Sequence, residues 1–173
     1  MPLYKVVITG PFNSGKTTFV KTISDIDIVS TERAITTEDR GIKQNTTVAM
    51  DYGRVKMDDN AIHLNGAPGQ TRFRFMWEIL AKEMDAFIVL VDSTDPPSFP
   101  EASEIINTFS EINPVPYLVV GTKSDQPGAA NTTQIRKGTQ APDFVTVMPC
   151  NATSKSSIRQ VLLQVIELIE QYS

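Results

Sequence analysis

The sequence predicts an α/β fold, a mostly parallel six-stranded sheet with one antiparallel strand and helices on both faces. Three observations carry that prediction. Short apolar, β-branched runs alternate with segments of helical periodicity, the pattern of strands joined by crossover helices. The first run passes directly into a glycine-bearing loop and then a helix. A chain of 173 residues fills one core and leaves little for a second, so residues 1–173 read as a single domain.

Taken in order, Leu3 to Thr9 is the first strand, Gly10 to Thr17 a loop and Thr18 to Ile23 the first helix. Residues 24–46 are rich in Ser, Thr, Asp and Glu with weak periodicity, and are expected to form a long mobile loop. Val48 to Met57 and Asn60 to Asn65 read as an antiparallel hairpin turning at Asp58-Asp59. Gly66 to Arg74 is a second polar loop, and a helix follows from about Phe75 to Met84. Ala86 to Asp92 is an apolar strand, and Ser98 to Ile112 a helix whose Ser98 and Glu101 suggest a capping box. Tyr117 to Gly121 and Val145 to Met148 are the last strands, with a weak helix between them at Asn131 to Lys137, where Ile135 is the only large apolar residue. Ser154 to Tyr172 is a helix with Ile158, Val161, Leu162, Val165, Leu168, Ile169 and Tyr172 along its packed face.

With 40% hydrophobic and 21% charged residues, the chain has the make-up of a soluble globule. No run approaches the roughly 18 apolar residues of a membrane span. The net charge of -4, without a basic stripe, argues against a nucleic-acid partner. The first residues lack the pattern of a signal peptide, Pro2 stands where N-myristoylation needs glycine, and the last residues lack a prenylation cysteine. A cytoplasmic protein without a lipid anchor is expected. Cys150, the single cysteine, excludes an internal disulfide and is assigned to packing. His63 alternates with Ile62 and Leu64 and is placed on the solvent face of its strand.

Gly10-Pro11-Phe12-Asn13-Ser14-Gly15-Lys16-Thr17 is the G-x-x-x-x-G-K-[ST] phosphate loop. In that pattern backbone amides point inward at phosphate oxygens while the next helix offers its positive end. The candidate contacts are Gly10, Asn13, Ser14, Gly15, Lys16, Thr17 and Thr18. Lys16 reaches the outer phosphates and the Thr17 hydroxyl meets magnesium. Loops after later strands line the same edge of a doubly wound sheet. Thr122-Lys123-Ser124-Asp125 is such a loop. The Asp125 carboxylate can accept from the ring N–H and exocyclic amine of guanine, a donor pair adenine lacks, while the Lys123 stem lies on the base.

These motifs resemble those of the Ras-like small GTPases, whose N-K-x-D sequence reads guanine. The resemblance implies a three-layer P-loop NTPase G domain holding GTP or GDP with Mg2+. Thr122 stands where the family has Asn, a change that removes an amide tying the base loop to the phosphate loop. Cys150-Asn151-Ala152 is similar to the S-A-K/L motif, so Asn151 and the Ala152 amide would meet the base. Thr47-Val48-Ala49-Met50-Asp51-Tyr52 is similar to the T-I-G-V-D-F run, which makes Thr47 a second magnesium ligand and a sensor of the γ phosphate. Asn65-Gly66-Ala67-Pro68-Gly69-Gln70 occupies the place of D-x-x-G-Q, with the Gly69 amide on the γ phosphate and Gln70 orienting water. Gly66 replaces the acid that holds magnesium. Metal binding is then weaker or completed elsewhere, and Asp92 is one substitute, its other reading being a turn cap.

The non-acidic residue at 66, together with T-x-x-x-D, is similar to the prokaryotic MglA-like branch, and Val91 to Asp95 to the Arf and signal-recognition-receptor β members. The function implied is slow GTP hydrolysis in a molecular switch; the alternative is a guanine-nucleotide module with little hydrolysis. A protein activator, exchange factor and effector are expected at the two polar loops, with a roadblock-fold regulator by analogy with MglA. Arg33, Arg40, Arg72 and Arg74 are either cis-acting arginines or solvated charges. Phe73, Phe75, Met76 and Trp77 are either a partner contact or core.

Overall fold

The computed structural model describes residues 2–26, 29–39, 42–68 and 74–172, with side chains for all of these except 29–39 and 42–50. The elements are β1 (Leu3–Thr9), α1 (Lys16–Ile23), β2 (Val29–Asp39), β3 (Ile42–Met57), β4 (Asn60–Gly66), α2 (Arg74–Ala81), β5 (Ala86–Asp92), α3 (Phe99–Ile112), β6 (Tyr117–Thr122), α4 (Thr132–Thr139), β7 (Val147–Pro149) and α5 (Lys155–Tyr172). The strands form one sheet in the order β2-β3-β4-β1-β5-β6-β7. Only β3 runs against the others, because it pairs antiparallel with both β2 and β4 while β1, β4, β5, β6 and β7 pair parallel.

The fold class and the lone reversed strand are as the sequence predicts, but the sheet holds seven strands. The additional strand, β2, and the first residues of β3 fall in the segment expected to be a mobile loop. Val29 to Asp39 carries few apolar residues, so neither alternation nor an apolar run announces it. It is an edge strand, paired on one side with β3 from Val29↔Tyr52 to Asp39↔Ile42. Edges tolerate Thr and Glu because no second strand or apolar layer must accept them.

Alternation within the central strands divides the core. Val6, Ile8, Ile88, Leu90, Leu118 and Val120 pack against α1 and α5 on one face. Val7, Phe87, Val89, Val91 and Val119 meet α2, α3 and α4 on the other. Trp77 of α2 is buried, stacks on Phe109 of α3 at 5.4 Å and donates its indole N–H to the Pro68 carbonyl at 2.7 Å. Met76 is buried too, so these two of the four bulky residues are core. Phe75 is half-buried, and Phe73 lies outside the described residues.

Several expected boundaries move. The helix predicted from Ser98 begins at Phe99, after a 3-10 turn at Pro96–Ser98. Its expected capping box is absent, because the Ser98 hydroxyl donates to the Asp95 carbonyl at 2.7 Å instead. The weak helix is better formed than its composition suggests. Asn131 accepts from the Gln134 amide, Gln134 reaches back to the Asn131 amide, and Ile135 is buried. On α5, Ile166 joins the buried face whereas Tyr172 is exposed, since the last turn runs past the edge of the sheet. His63 is half-buried, edge-on to Tyr52 at 5.4 Å. No helix among the described residues is long and apolar enough to cross a membrane.

Candidate functional site

β1 neighbours both β4 and β5, so the chain order reverses about it and a crevice opens beyond the carboxyl ends of the strands. The loop from Gly10 to Gly15 is shaped for that crevice. Gly10 has φ 144°, and a Cβ there would fall 2.1 Å from the Leu90 carbonyl oxygen. Asn13 and Gly15 also take positive φ, at 65° and 100°. Such turns leave consecutive amides facing inward as α1 begins.

Lys16 donates to the Gly10 and Pro11 carbonyls at 2.9 and 2.8 Å and to Ser14 Oγ at 3.3 Å. Burial lowers its pKa from the ordinary lysine value to about 8, against raising contributions from Glu101 and Asp51. A poorly solvated ammonium held by neutral oxygens is ready to meet a polyanion. The Thr17 hydroxyl donates to Asp51 Oδ2 at 2.6 Å.

The crevice has two adjoining lobes. One, of about 850 Å3, is lined by Asn13, Gly15, Lys16, Thr17, Asp51 and Gly66 among others. The second, of about 690 Å3, is lined by Thr122, Lys123, Asp125, Asn151, Ala152 and Thr153 among others. Gly15, Thr18, Thr94 and Lys123 border both, so the lobes form one continuous cleft. Together they suit a ligand with an anionic tail and a planar head.

The structure brings most of the sequence-predicted residues to this cleft. Lys123, at φ 56°, spans it and pairs with Asp92 at 2.8 Å. Burial raises the Asp92 carboxyl, but hydrogen bonds from Lys123 and Thr94 outweigh it and hold the group below its ordinary value. Asp92 also caps its turn, accepting from the Thr94 amide and hydroxyl at 2.9 and 2.6 Å. Its turn-capping reading therefore stands. The Asn151 carboxamide oxygen accepts from the Thr153 amide at 3.1 Å, which shapes the turn that exposes Ala152 to the base lobe. Beside it Cys150 is buried. Burial raises its thiol, a Ser157 hydrogen bond lowers it less, and packing is its role.

Thr122 corrects an expectation. Its hydroxyl lies 2.8 Å from the Ser14 carbonyl and 3.0 Å from that of Val91, so the base loop remains tied to the phosphate loop. A short hydroxyl replaces a longer amide because the two loops approach closely here. Gly69 and Gln70, along with Arg40 and Arg72, lie outside the described residues, as do the side chains of Thr47 and Arg33. The Thr47 backbone is in β3, opposite Ala34. Arg74 donates to Thr108 of α3 at 2.9 Å. What sequence reasoning missed is the contact of Asp51 with Thr17. The pairing of β3 with β4 that creates it was legible only as an approximate hairpin.

A phosphate-shaped loop after the first strand, with an acid-bearing loop facing it across the sheet edge, defines a P-loop nucleotide-binding protein. The model of the ADP-ribosylation factor family matches residues 3–169. The chain belongs to the ADP-ribosylation factor (Arf) family and is thus a small GTPase of the Ras-like superfamily.

Relatives agree with that placement. Uncharacterized protein MJ1339 of Methanocaldococcus jannaschii is 33% identical over 121 residues, 70% of each chain. ADP-ribosylation factor-like protein 8b of Arabidopsis thaliana is 36% identical over 86 residues, 48% of this chain and 47% of that one. The chain thus aligns with about half the length of the plant relative. The structure of the Arl6 (BBS3) small GTPase from Trypanosoma brucei, solved with the nucleotide analogue GppNp, shares the fold. Its TM-score is 0.74 at 20% identity, with 99% of both chains covered.

Proposed function

We propose that the chain binds GTP and GDP together with magnesium and works as a nucleotide-dependent switch that hydrolyses GTP slowly. The observation that carries this reading is the continuous cleft, with Lys16 at one end and Asp125 at the other. Lys16 and the loop amides at Asn13 to Thr18 take the phosphates. Asp125 accepts from the two guanine donors, the Lys123 stem covers the base, and the Ala152 amide with Asn151 meets the base edge.

Thr17 and Thr47 have hydroxyls suited to magnesium, a hard cation that takes oxygen ligands and keeps waters. Bound there, the metal would neutralise phosphate charge during transfer to water. Gly69 and Gln70 are assigned the γ phosphate and the attacking water. Gly66 beside Asp51, in the T-x-x-x-D run, supports a place near the MglA-like members, and a regulator of roadblock fold is the corresponding partner. We read the chain as one cytoplasmic domain whose activator, exchange factor and effector meet it at residues 24–50 and 66–74.

The missing acid at Gly66 favours a second reading, a guanine-nucleotide module with little hydrolysis. Titration with GDP, GTP and ATP, with and without magnesium, tests the binding: guanine nucleotides bind and ATP does not. Equal affinity for adenine and guanine would end both readings. Single-turnover hydrolysis then separates them, since Gln70→Leu slows a hydrolysing switch and leaves a merely binding module unchanged.

A further inference from the structure

Asp51 and Gly66 are direct partners in the β3–β4 ladder. A Cβ built on Gly66 would meet Asp51 Cβ at 3.4 Å, its carbonyl oxygen at 3.6 Å and Oδ2 at 3.9 Å. Asp51 therefore places its side chain beside the space into which a side chain at position 66 would project. Its Oδ2 accepts the Thr17 hydroxyl proton at 2.6 Å, and both residues line the phosphate lobe with Lys16.

We propose that Asp51 supplies from β3 the carboxylate that is absent from β4, holding magnesium beside Thr17 in place of an acid at Gly66. This rests on the nucleotide reading above and specifies how its metal is held. The donor chemistry fits. A hydroxyl has one proton and two lone-pair sites, so a Thr17 that donates to Asp51 turns its oxygen lone pairs toward a cation. The carboxylate fixes and polarises that ligand.

Magnesium is commonly held by one or two carboxylates plus substrate phosphates and waters, so a single acid suffices. Among the described residues no group of three or more His, Cys, Asp or Glu side chains is gathered, which excludes an all-protein cage there. Asp92 lines the same lobe but is engaged by Lys123 and Thr94. Asp51 is the acid joined to the Thr17 hydroxyl.

The test is the release of a fluorescent GDP analogue from the full chain as magnesium is varied. In the wild type magnesium slows release and EDTA accelerates it. In Asp51→Asn the magnesium concentration needed for half the slowing rises by about 10- to 100-fold. Release in EDTA stays near wild type. The double variant Asp51→Gly with Gly66→Asp returns the carboxylate to the other strand, and its midpoint moves back toward wild type. Position 66 has no positive φ, and contacts of 3.4 Å or longer make the exchange sterically acceptable.

An unchanged midpoint in Asp51→Asn overturns the assignment and leaves the nucleotide reading intact. Loss of GDP binding by that variant even in EDTA shows a structural role and overturns it as well. A wild type that holds no GDP defeats the nucleotide reading itself, and the assignment with it.

Discussion

Lys16 shows how much one side chain's environment adds to its identity. The motif fixes its position, but only the folded loop buries it and lowers its pKa to about 8. Phosphate binding needs the ammonium, so GDP affinity falls as pH rises above about 8, by up to about tenfold per pH unit. The stability sign is opposite. Between about 8 and the ordinary lysine value the unfolded chain keeps a proton that the folded chain loses, so the Lys16 contribution to stability rises with pH. Isothermal titration and denaturant melts at pH values either side of 8 check both trends, and Lys16→Met removes both. Asp125 differs in kind: its residue type and loop were legible, whereas its share of a cavity with Asn151 and Ala152 depended on two strands meeting in register.

Among elements, α4 was the least legible helix and β2 the strand not anticipated. Composition undervalued α4 because its one buried large residue, Ile135, gives little periodicity, while its stability rests on the reciprocal Asn131 and Gln134 cap. Asn131→Ala leaves the first-turn amides without that acceptor and costs about 1 kcal/mol. A lowered denaturation midpoint, with faster hydrogen exchange at the Gln134 amide, is the expected measurement. The Ser98 and Glu101 pattern failed for a related reason: Pro96 and Pro97 wound a tight turn first, and the Ser98 hydroxyl closed it onto Asp95. β2 could not be read because an edge strand needs no apolar alternation, and its pairing comes from β3 rather than from its own composition.

Across the whole molecule, the two halves of the cleft are joined through the interior. The Thr122 hydroxyl on β6 binds the carbonyl of Ser14, 108 residues away, inside the sheet edge. Thr122→Val keeps the volume but leaves the buried Ser14 and Val91 carbonyls without that donor, at a cost of about 1–3 kcal/mol. Denaturant unfolding would show the loss, and GDP titration a weaker affinity, because the base loop no longer holds the phosphate loop. An unchanged melt and affinity would mean that the tie contributes nothing.

The sequence by itself determined the α/β alternation, the phosphate loop and the acid that faces a guanine, because each is written in residues close together along the chain. Tertiary structure alone decided that β2 completes a seven-stranded sheet, that Thr122 ties two distant loops, and that Asp51 stands against Thr17 and Gly66. Those contacts depend on strand register. Register is set by packing summed over the whole sheet, and no local pattern of residues encodes it.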